Sequence, residues 1–356
     1  MERCALHPRR SGPLLFLFVI LLIACGSEGP SLSNTGLPDS TETDSTIPPS
    51  AGGDSTLPPG VPPDTLPIDS APPPVGDTLS PPADSTPPEP PVTVNHLGIP
   101  FGPFALPSAK YGPDFIGAYR PPWDSLLTDL EVARRTNTRV VLNFTGPEHH
   151  FADGNGFNMT KWKQLVDRFR PLDLTSYIAD GTIVGHFLMD EPNDASNWNG
   201  KRVSLAEVEE MARYSKEIWP AMATLIRGWP AYLKGYEFKY LDAAWAQYHV
   251  RFGSIDEFIA NNVRDAREAG LALVAGMNVL NGGSSSSGIP GRRAGKYAMS
   301  ASELRSWGNA LLSEPYICAL LIWKYDPGYF SRPDISAALS ELNRKAESHP
   351  EQPCRR

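Results

Sequence analysis

The part of the chain after residue 95 alternates between strand-like and helix-like segments, and this alternation constrains its fold more than any other feature. Eight short apolar runs occur there, and amphipathic stretches with helical spacing separate most of them. Strands that alternate with helices form a parallel sheet with crossover helices. The runs span residues 99–104, 115–119, 139–144, 183–189, 223–226, 243–248, 271–279 and 317–323.

Several helix starts are marked in the sequence. A first helix is expected over residues 123–135 and a last one over residues 334–346. Three helices in between begin with a Ser that is followed three residues later by a Glu, which is the capping-box pattern of a helix N-terminus. These boxes are Ser204/Glu207, Ser254/Glu257 and Ser300/Glu303.

A closed (β/α)8 TIM barrel and an open doubly wound sheet both contain alternating strands and helices. The open sheet usually carries a glycine-rich phosphate loop after its first strand. Gly98 and Gly102, which lie near the first run, lack that spacing and precede no helix. About 260 residues is also the usual size of a TIM barrel. The sequence therefore predicts an α/β fold, a (β/α)8 barrel over residues 96–348, followed by a C-terminal tail over residues 349–356.

The first 24 residues have the pattern of a signal peptide. Three arginines precede an apolar run over residues 14–23, which is too short to span a bilayer. The run ends in Leu22-Ile23-Ala24-Cys25, which resembles the lipobox of bacterial lipoproteins. This resemblance implies a lipid on Cys25, a membrane anchor through that lipid, and a place in the bacterial cell envelope, at the outer membrane or cell surface. The alternative is an ordinary secretory signal with a chance cysteine.

Residues 25–95 are predicted to form a disordered tether. Of the 37 prolines, 18 lie between residues 26 and 95, where there are 10 acidic residues, no Lys or Arg and no aromatic residue. Such a composition provides nothing with which to build a core. The remaining 261 residues carry 29 basic and 29 acidic side chains. Because phosphate binding needs clustered Lys and Arg, this balance argues against nucleic acid as a partner.

Polar and aromatic side chains collect at the carboxyl ends of the predicted strands. In a barrel those ends form the mouth, where active sites lie. Carboxylates, imidazoles and amides are costly to desolvate unless they bind something. Their mixture with Trp and Tyr is the one expected for a carbohydrate ligand, since aromatic faces stack on sugar rings. The predicted sugar-binding residues are Tyr119, Arg120, Asn143, His149, Arg227, Trp229, Gln247, Tyr248, His249, Asn278, Asn281, Trp323 and Lys324.

The fourth run ends in Asp190-Glu191-Pro192, which resembles the Asn-Glu-Pro ending of the fourth strand in clan A glycoside hydrolases. The resemblance implies that Glu191 is the general acid/base. The clan places its nucleophile, a Glu, at the end of the seventh strand, where this chain has Asn278 and Asn281 and no carboxylate. The second carboxylate is therefore expected to be Glu148, Asp326 or Asp190.

Three functions remain open at this point. The first is a surface-anchored glycosidase, with Glu191 as acid and Glu148 or Asp326 as base. Its reaction can be inverting, with carboxyl groups about 6.5–9.5 Å apart, instead of retaining, with about 5–5.5 Å. The second is a membrane-tethered barrel that binds glycan without cleaving it. The third is a hydrolase that acts on another extracellular substrate.

The remaining expectations concern ligands and cysteines. No cofactor and no metal are expected, because His149 and His150 lack the spacing of a zinc site. The protein is expected to be a monomer. Cys318 is expected to be an inert buried thiol with no bridge to Cys354. The Gly- and Ser-rich loop over residues 282–293 is either a lid over the mouth or a plain surface loop.

Overall fold

The computed structural model describes residues 96–120 and 125–356 of the chain. Within these residues, eight parallel strands form one sheet in the order β1-β8-β7-β6-β5-β4-β3-β2. Consecutive parallel strands lie side by side in this order, as they do in a barrel. The strands are β1 (Phe101–Pro103), β2 (Gly117–Arg120), β3 (Arg139–Asn143), β4 (Ile183–Asp190), β5 (Ala223–Arg227), β6 (Ala243–Tyr248), β7 (Ala272–Asn278) and β8 (Ile317–Trp323).

The two edges of this sheet meet between β1 and β2, so that the barrel is nearly closed. Phe104 and Tyr119 form a parallel bridge, and the Ala105 amide donates to the Tyr119 carbonyl over 3.0 Å. The rings of Phe104 and Tyr119 also stack, with centroids 4.4 Å apart. The predicted (β/α)8 barrel is therefore confirmed.

The helices pack around the outside of the strands. Ser204 and Ser300 form complete capping boxes with Glu207 and Glu303, whereas Ser254 caps its helix by accepting from the Asp256 amide instead. The predicted start of the first helix, residue 123, lies outside the described residues. The helices are α1 (Leu126–Arg135), α2 (Met159–Asp167), α3 (Thr175–Ala179), α4 (Leu205–Ile218), α5 (Pro230–Leu233), α6 (Ile255–Glu268), α7 (Ala301–Leu311), α8 (Pro327–Phe330) and α9 (Pro333–Glu347).

The core has two layers because successive residues of a strand face opposite sides of the sheet. One set of alternate residues, which includes Val141, Phe187, Leu225 and Trp245, fills the barrel interior. The other set, which includes Leu142 and Leu188, packs against the helices. This alternation decides which residues at the strand ends face the mouth.

The loop after β7, expected to be a lid or a surface loop, is tied to the following segment by backbone hydrogen bonds. The Gly283 amide donates to the Tyr297 carbonyl over 2.8 Å, and the Ala298 amide donates to the Ile289 carbonyl over 2.9 Å. The Ser284 amide donates to a carboxylate oxygen of Glu303 over 2.9 Å. The loop therefore has a defined conformation.

The C-terminal residues pack against the end of the barrel opposite the mouth. Cys354 is buried and forms a disulfide with Cys318 near the start of β8, across 36 residues of sequence. The expectation of a free thiol at Cys318 was therefore wrong. The Arg356 amide donates to the Asp242 carboxylate over 2.9 Å, and a ring nitrogen of His349 lies 3.0 Å from the Glu314 carbonyl. These bonds and the disulfide hold residues 349–356 against the domain.

Within the described residues, no helix is both long and apolar enough to cross a membrane. The predicted signal peptide (residues 1–24), the lipidation site Cys25 and the predicted tether (residues 25–95) lie outside the described residues.

Candidate active site

Two carboxylates stand together at the end of β4. The pairing of β4 with β5 shifts register between Phe187 and Asp190, which breaks the strict alternation of the strand. Glu191, the next residue, has a φ of 38°, in the left-handed region that side-chain-bearing residues rarely adopt. Its amide donates to the Arg227 carbonyl over 2.8 Å, which fixes this turn. As a result, Asp190 and Glu191 both reach the Arg227 guanidinium.

Arg227, at the end of β5, neutralises part of this charge. Its Nε and Nη2 both contact Asp190, with Nη2 2.6 Å from Oδ2, in the two-pronged geometry that suits a guanidinium and a carboxylate. The same Nη2 lies 3.4 Å from Oε1 of Glu191. Asp190 therefore holds Arg227 in place, while Glu191 has only one longer contact with it.

Glu148 contributes a third carboxylate from the loop after β3. It opens the short 3-10 turn Glu148–His150. Asn143 shapes the start of this loop, because its Oδ1 accepts from the amides of Thr145 (2.8 Å) and Gly146 (2.9 Å). The Asn143 side-chain amide also donates to the Tyr119 hydroxyl over 2.6 Å.

The environment raises the pKa of both glutamates to about 7. Burial is the largest cause for Glu148, followed by the negative charge of Asp190. Burial is also the largest cause for Glu191, where Arg227 acts in the opposite direction and Asp190 raises the pKa again. Glu191 itself raises the pKa of Glu148. Carboxyl groups with a pKa near neutrality can act as the acid and the base of a catalysed reaction.

Several buried polar atoms near the carboxyl ends of β4, β6 and β7 have no hydrogen-bond partner among the described residues. Such atoms are uncommon in proteins and are satisfied by water or by a ligand. One of them, Nε2 of His249, is on a ring whose pKa burial lowers to about 4, so the ring is neutral at neutral pH. These atoms are Asn193 Oδ1, Trp245 Nε1, Gln247 Oε1, His249 Nε2 and Asn281 Nδ2.

The structure brings together Tyr119, Asn143, Glu148, Asp190, Glu191 and Arg227 from the residues that the sequence singled out. Gln247 and Trp323 alternate inward with the interior residues of β6 and β8 and are half-buried. Lys324 follows Trp323 and is half-buried.

Other predicted sugar-binding residues face away from the mouth. Arg120 forms an ion pair with Asp129 of α1. The ring of Tyr248 packs between Phe258 and Trp307 of the outer helices, and its hydroxyl donates to the Gly253 carbonyl over 2.8 Å. Because each residue follows an inward-facing neighbour on its strand, its position on the outer face is expected from the geometry of a strand.

The predicted residues after β3, β5 and β7 make local contacts. His149 is exposed beside His150, with ring centroids 4.4 Å apart. Trp229 packs edge-on against Phe252, at 4.9 Å. The side-chain oxygen of Asn278 accepts from the backbone amide of Asn281 over 3.0 Å, so Asn278, at the end of β7, shapes the following turn.

Asp326, the other candidate base, caps α8. Its carboxylate accepts from the Tyr329 amide over 3.0 Å. It also lines a cavity of about 290 Å³ between the loop after β7 and the start of α9, to which Leu280, Tyr329 and Arg332 contribute. None of the three clustered carboxylates lines this cavity. The carboxylates that act on Arg227 are Asp190, Glu191 and Glu148, so Asp326 is not part of this cluster.

Sequence reasoning overlooked Trp198 and Trp245, and it placed Asn193 at the end of the fourth strand without choosing it as a site residue. Trp245 lies inside the barrel, and Asn193 follows Glu191 by two residues. Trp198 is fully buried, and its indole donates to the Glu191 carbonyl over 3.1 Å. The position of Asn193 in the motif was a usable signal, whereas the contact of Trp198 needed the folded loop.

No protein-family model matches the chain, and no curated protein matches it. Among solved structures it is similar to a GH2 beta-galacturonidase from Eisenbergiella tayi bound to galacturonate, with 11% identity and a TM-score of 0.48 over 70% of this chain and 51% of that chain. It is also similar to the catalytic domain of the major endoglucanase from Xanthomonas campestris pv. campestris, with 11% identity and a TM-score of 0.44 over 71% of this chain and 95% of that chain.

The chain thus spans about half the length of the Eisenbergiella tayi protein. These structural neighbours are glycoside hydrolases.

Proposed function

We propose that this protein is a glycosidase in which Glu148 and Glu191 share the acid and base roles. The observation that carries the proposal is the pair of glutamates at the barrel mouth, each with its pKa raised to about 7. Two carboxyl groups that interact through their charges hold one proton between them near neutrality. One protonated and one ionised carboxyl group is the arrangement that glycoside hydrolysis requires.

The contacts of the free protein favour the proton on Glu148. Glu191 has the Arg227 guanidinium 3.4 Å away, which stabilises its ionised form. No ion pair joins Glu148 to a cation among the described residues. Asp190 raises the pKa of Glu148 more than Arg227 lowers it, whereas for Glu191 the effect of Arg227 is the larger of the two. We therefore assign the acid to Glu148 and the base or nucleophile to Glu191, which reverses the roles expected from the sequence.

In this assignment the Glu148 carboxyl group donates its proton to the glycosidic oxygen as the bond to the anomeric carbon breaks. The Glu191 carboxylate either takes a proton from the water that attacks the anomeric carbon, or attacks that carbon itself. A separation of about 6.5–9.5 Å between the carboxyl groups in a ligand complex indicates the first route, and about 5–5.5 Å the second. NMR of the first-formed anomer distinguishes the two routes.

Substrates with different leaving groups test the assignment of roles. Glu148→Gln should retain activity on a glycoside with an activated leaving group, such as a dinitrophenol, since that group leaves without a proton. Glu191→Gln should lose activity on activated and natural substrates alike. The opposite pattern would reassign the acid to Glu191. Turnover that neither substitution changes would remove both glutamates from the mechanism.

A second candidate function is glycan binding without cleavage, favoured by Asn278 at the end of β7. Its side chain accepts from the Asn281 amide and carries no charge. A screen of the protein against a panel of polysaccharides, with binding and new reducing ends both measured, separates the two candidates. Binding without new reducing ends for any bound glycan favours the non-catalytic function.

We further propose that the domain is displayed on the cell envelope through a lipid on Cys25 and the proline-rich segment. The Cys318–Cys354 disulfide supports export, because disulfides persist in oxidising compartments. With those two cysteines paired and Cys4 within the predicted signal peptide, Cys25 is the cysteine that remains for a lipid.

A further inference from the structure

The turn that carries Glu191 has a conformation that needs support. A residue with a side chain in the left-handed region costs about 1–3 kcal/mol and persists only where its surroundings hold it. The Glu191 amide donates to the Arg227 carbonyl, and the Glu191 carbonyl accepts from the Asp194 amide over 3.0 Å. A third bond comes from the indole Nε1 of Trp198, 3.1 Å from the same carbonyl.

Trp198 also contacts the loop that carries Glu148. Its ring centroid lies 5.8 Å from that of Phe151 and 5.9 Å from that of Phe157. Phe151 directly follows the turn that begins at Glu148, and its amide donates to the Glu148 carbonyl over 3.0 Å. One chain of contacts from Glu191 to Glu148 therefore runs through the Trp198 indole.

The backbones of the two loops meet at the same place. A Cβ on Gly156 would lie 2.6 Å from the Trp198 carbonyl oxygen, so only glycine permits this approach. Asn199 donates through its side-chain amide to the Gly154 carbonyl. Trp198 itself is completely buried, which leaves its ring little freedom to move.

We infer that Trp198 is a positioning residue that fixes the loop of Glu191 against the loop of Glu148 and so sets the separation and burial of the two carboxyl groups. This inference rests on the proposed pairing of these glutamates but concerns their geometry, which exists whether or not the protein cleaves a glycan. Trp198 does not touch the reacting atoms.

A matched pair of variants tests this role. Trp198→Phe keeps an aromatic ring and removes the indole N–H. Trp162→Phe makes the same change at another fully buried Trp, whose Nε1 donates to the Leu188 carbonyl of β4 over 2.8 Å but which packs against His186 and Tyr214 in the outer layer. Both variants lose one buried bond of the same kind, and their free energies of unfolding in urea show whether the loss is comparable.

The readout is the titration of the side-chain carboxyl carbons of Glu148 and Glu191 by NMR, which requires no turnover. The charged groups that act on the pKa of Glu191 are Arg227, Asp190 and Asp194, and a hydrogen bond from the Asn197 side chain lowers it further. Glu191 in turn acts on the pKa of Glu148. Trp198→Phe should lower both pKa values by roughly one unit, because the loosened loop admits water, and Trp162→Phe should leave them unchanged.

Equal titration curves for Trp198→Phe and the wild-type protein would overturn the inference, as would equal shifts in both variants. If Trp198→Phe does not fold, Phe157→Leu removes one ring contact and keeps the indole bond, and the same shift is expected at smaller size. If the protein is active, Trp198→Phe should lower kcat and leave KM little changed, because it disturbs the positioning of the reacting groups more than the binding of the substrate. If the wild-type protein cleaves no glycan but Trp198→Phe shows the expected pKa shifts, the proposed function is contradicted and the positioning role of Trp198 is not.

Discussion

The raised pKa of each glutamate makes a prediction about stability that needs no substrate. The folded protein holds the pKa of Glu148 and Glu191 at about 7, against 4.5 for an ordinary Glu. Between these values the native state keeps protons that the unfolded state has released. The contribution of these two groups to the free energy of unfolding therefore falls as pH rises from about 4.5 to about 7, and stays low above that range.

The magnitude follows from the size of the shift. One pKa unit corresponds to about 1.4 kcal/mol. A shift from 4.5 to about 7 in one isolated group would therefore change the free energy of unfolding by at most about 3 kcal/mol. The two groups are half-buried and share a proton, which reduces the effect to about 1–2 kcal/mol for one substitution. Glu191→Gln should therefore be more stable than the wild-type protein at neutral pH. Near pH 4 the two proteins should be equally stable, because Glu191 is then mostly protonated and carries no charge, like Gln.

Urea unfolding at several pH values measures this difference, and Glu210→Gln provides the control of opposite sign. Contacts with Arg213 and Lys163 lower the pKa of Glu210 to about 2, so its charge stabilises the fold at neutral pH. Glu210→Gln should therefore be less stable at neutral pH. Curves for Glu191→Gln and wild type that stay parallel across the whole range would show that the pKa of Glu191 is not raised in the folded protein.

Three further outcomes are expected. Asp190→Asn should lower the pKa of Glu148 and Glu191 in an NMR titration, since it removes a negative charge that raises both; unchanged values would contradict the charge cluster. Cys354→Ser should lower the free energy of unfolding by about 3–4 kcal/mol, the loop entropy of a 36-residue closure, with a wild-type sample in reductant as its match; equal stability would mean that the cysteines are unpaired. Cys25→Ser should move the protein from the membrane to the soluble fraction of a bacterial host, and persistent membrane association would argue against the lipid anchor.

The eight strands were predictable because each is a short apolar run bounded by polar residues. All eight coincide with predicted runs to within two residues at each end. The buried interior of a parallel barrel needs such runs, and crossover helices separate them. The helix caps at Ser204 and Ser300 were equally clear, because their bonds are local in sequence.

It was harder to predict which residues at the strand ends face the barrel mouth. In Gln247-Tyr248 and Tyr119-Arg120 two neighbouring polar or aromatic residues end a strand, and alternation lets only one of each pair face the mouth. Both faces of these strands are buried, so composition alone did not reveal which one. The register shift before Asp190 and the left-handed φ of Glu191 break the alternation, which brings both carboxylates of the motif to Arg227.

Contacts between distant segments were not readable from the sequence. Cys318 lies within a strand and Cys354 near the end of the chain, and only the path of the C-terminal residues across the bottom of the barrel joins them. Trp198 was overlooked for the same reason, since its contacts with Phe151 and Phe157 join residues that are 47 and 41 positions apart in the chain.

The acid–base roles of Glu148 and Glu191 are measured by the pH dependence of kcat/KM on the best substrate from the polysaccharide panel. The acid–base pair predicts a bell-shaped profile centred near neutrality. Glu148→Gln should lose the alkaline limb, because that limb reports the proton of the acid, and Glu191→Gln should lose the acidic limb. Each substitution should reduce the rate at least about a hundredfold. Full activity of both variants with an unchanged profile would show that neither glutamate acts as acid or base.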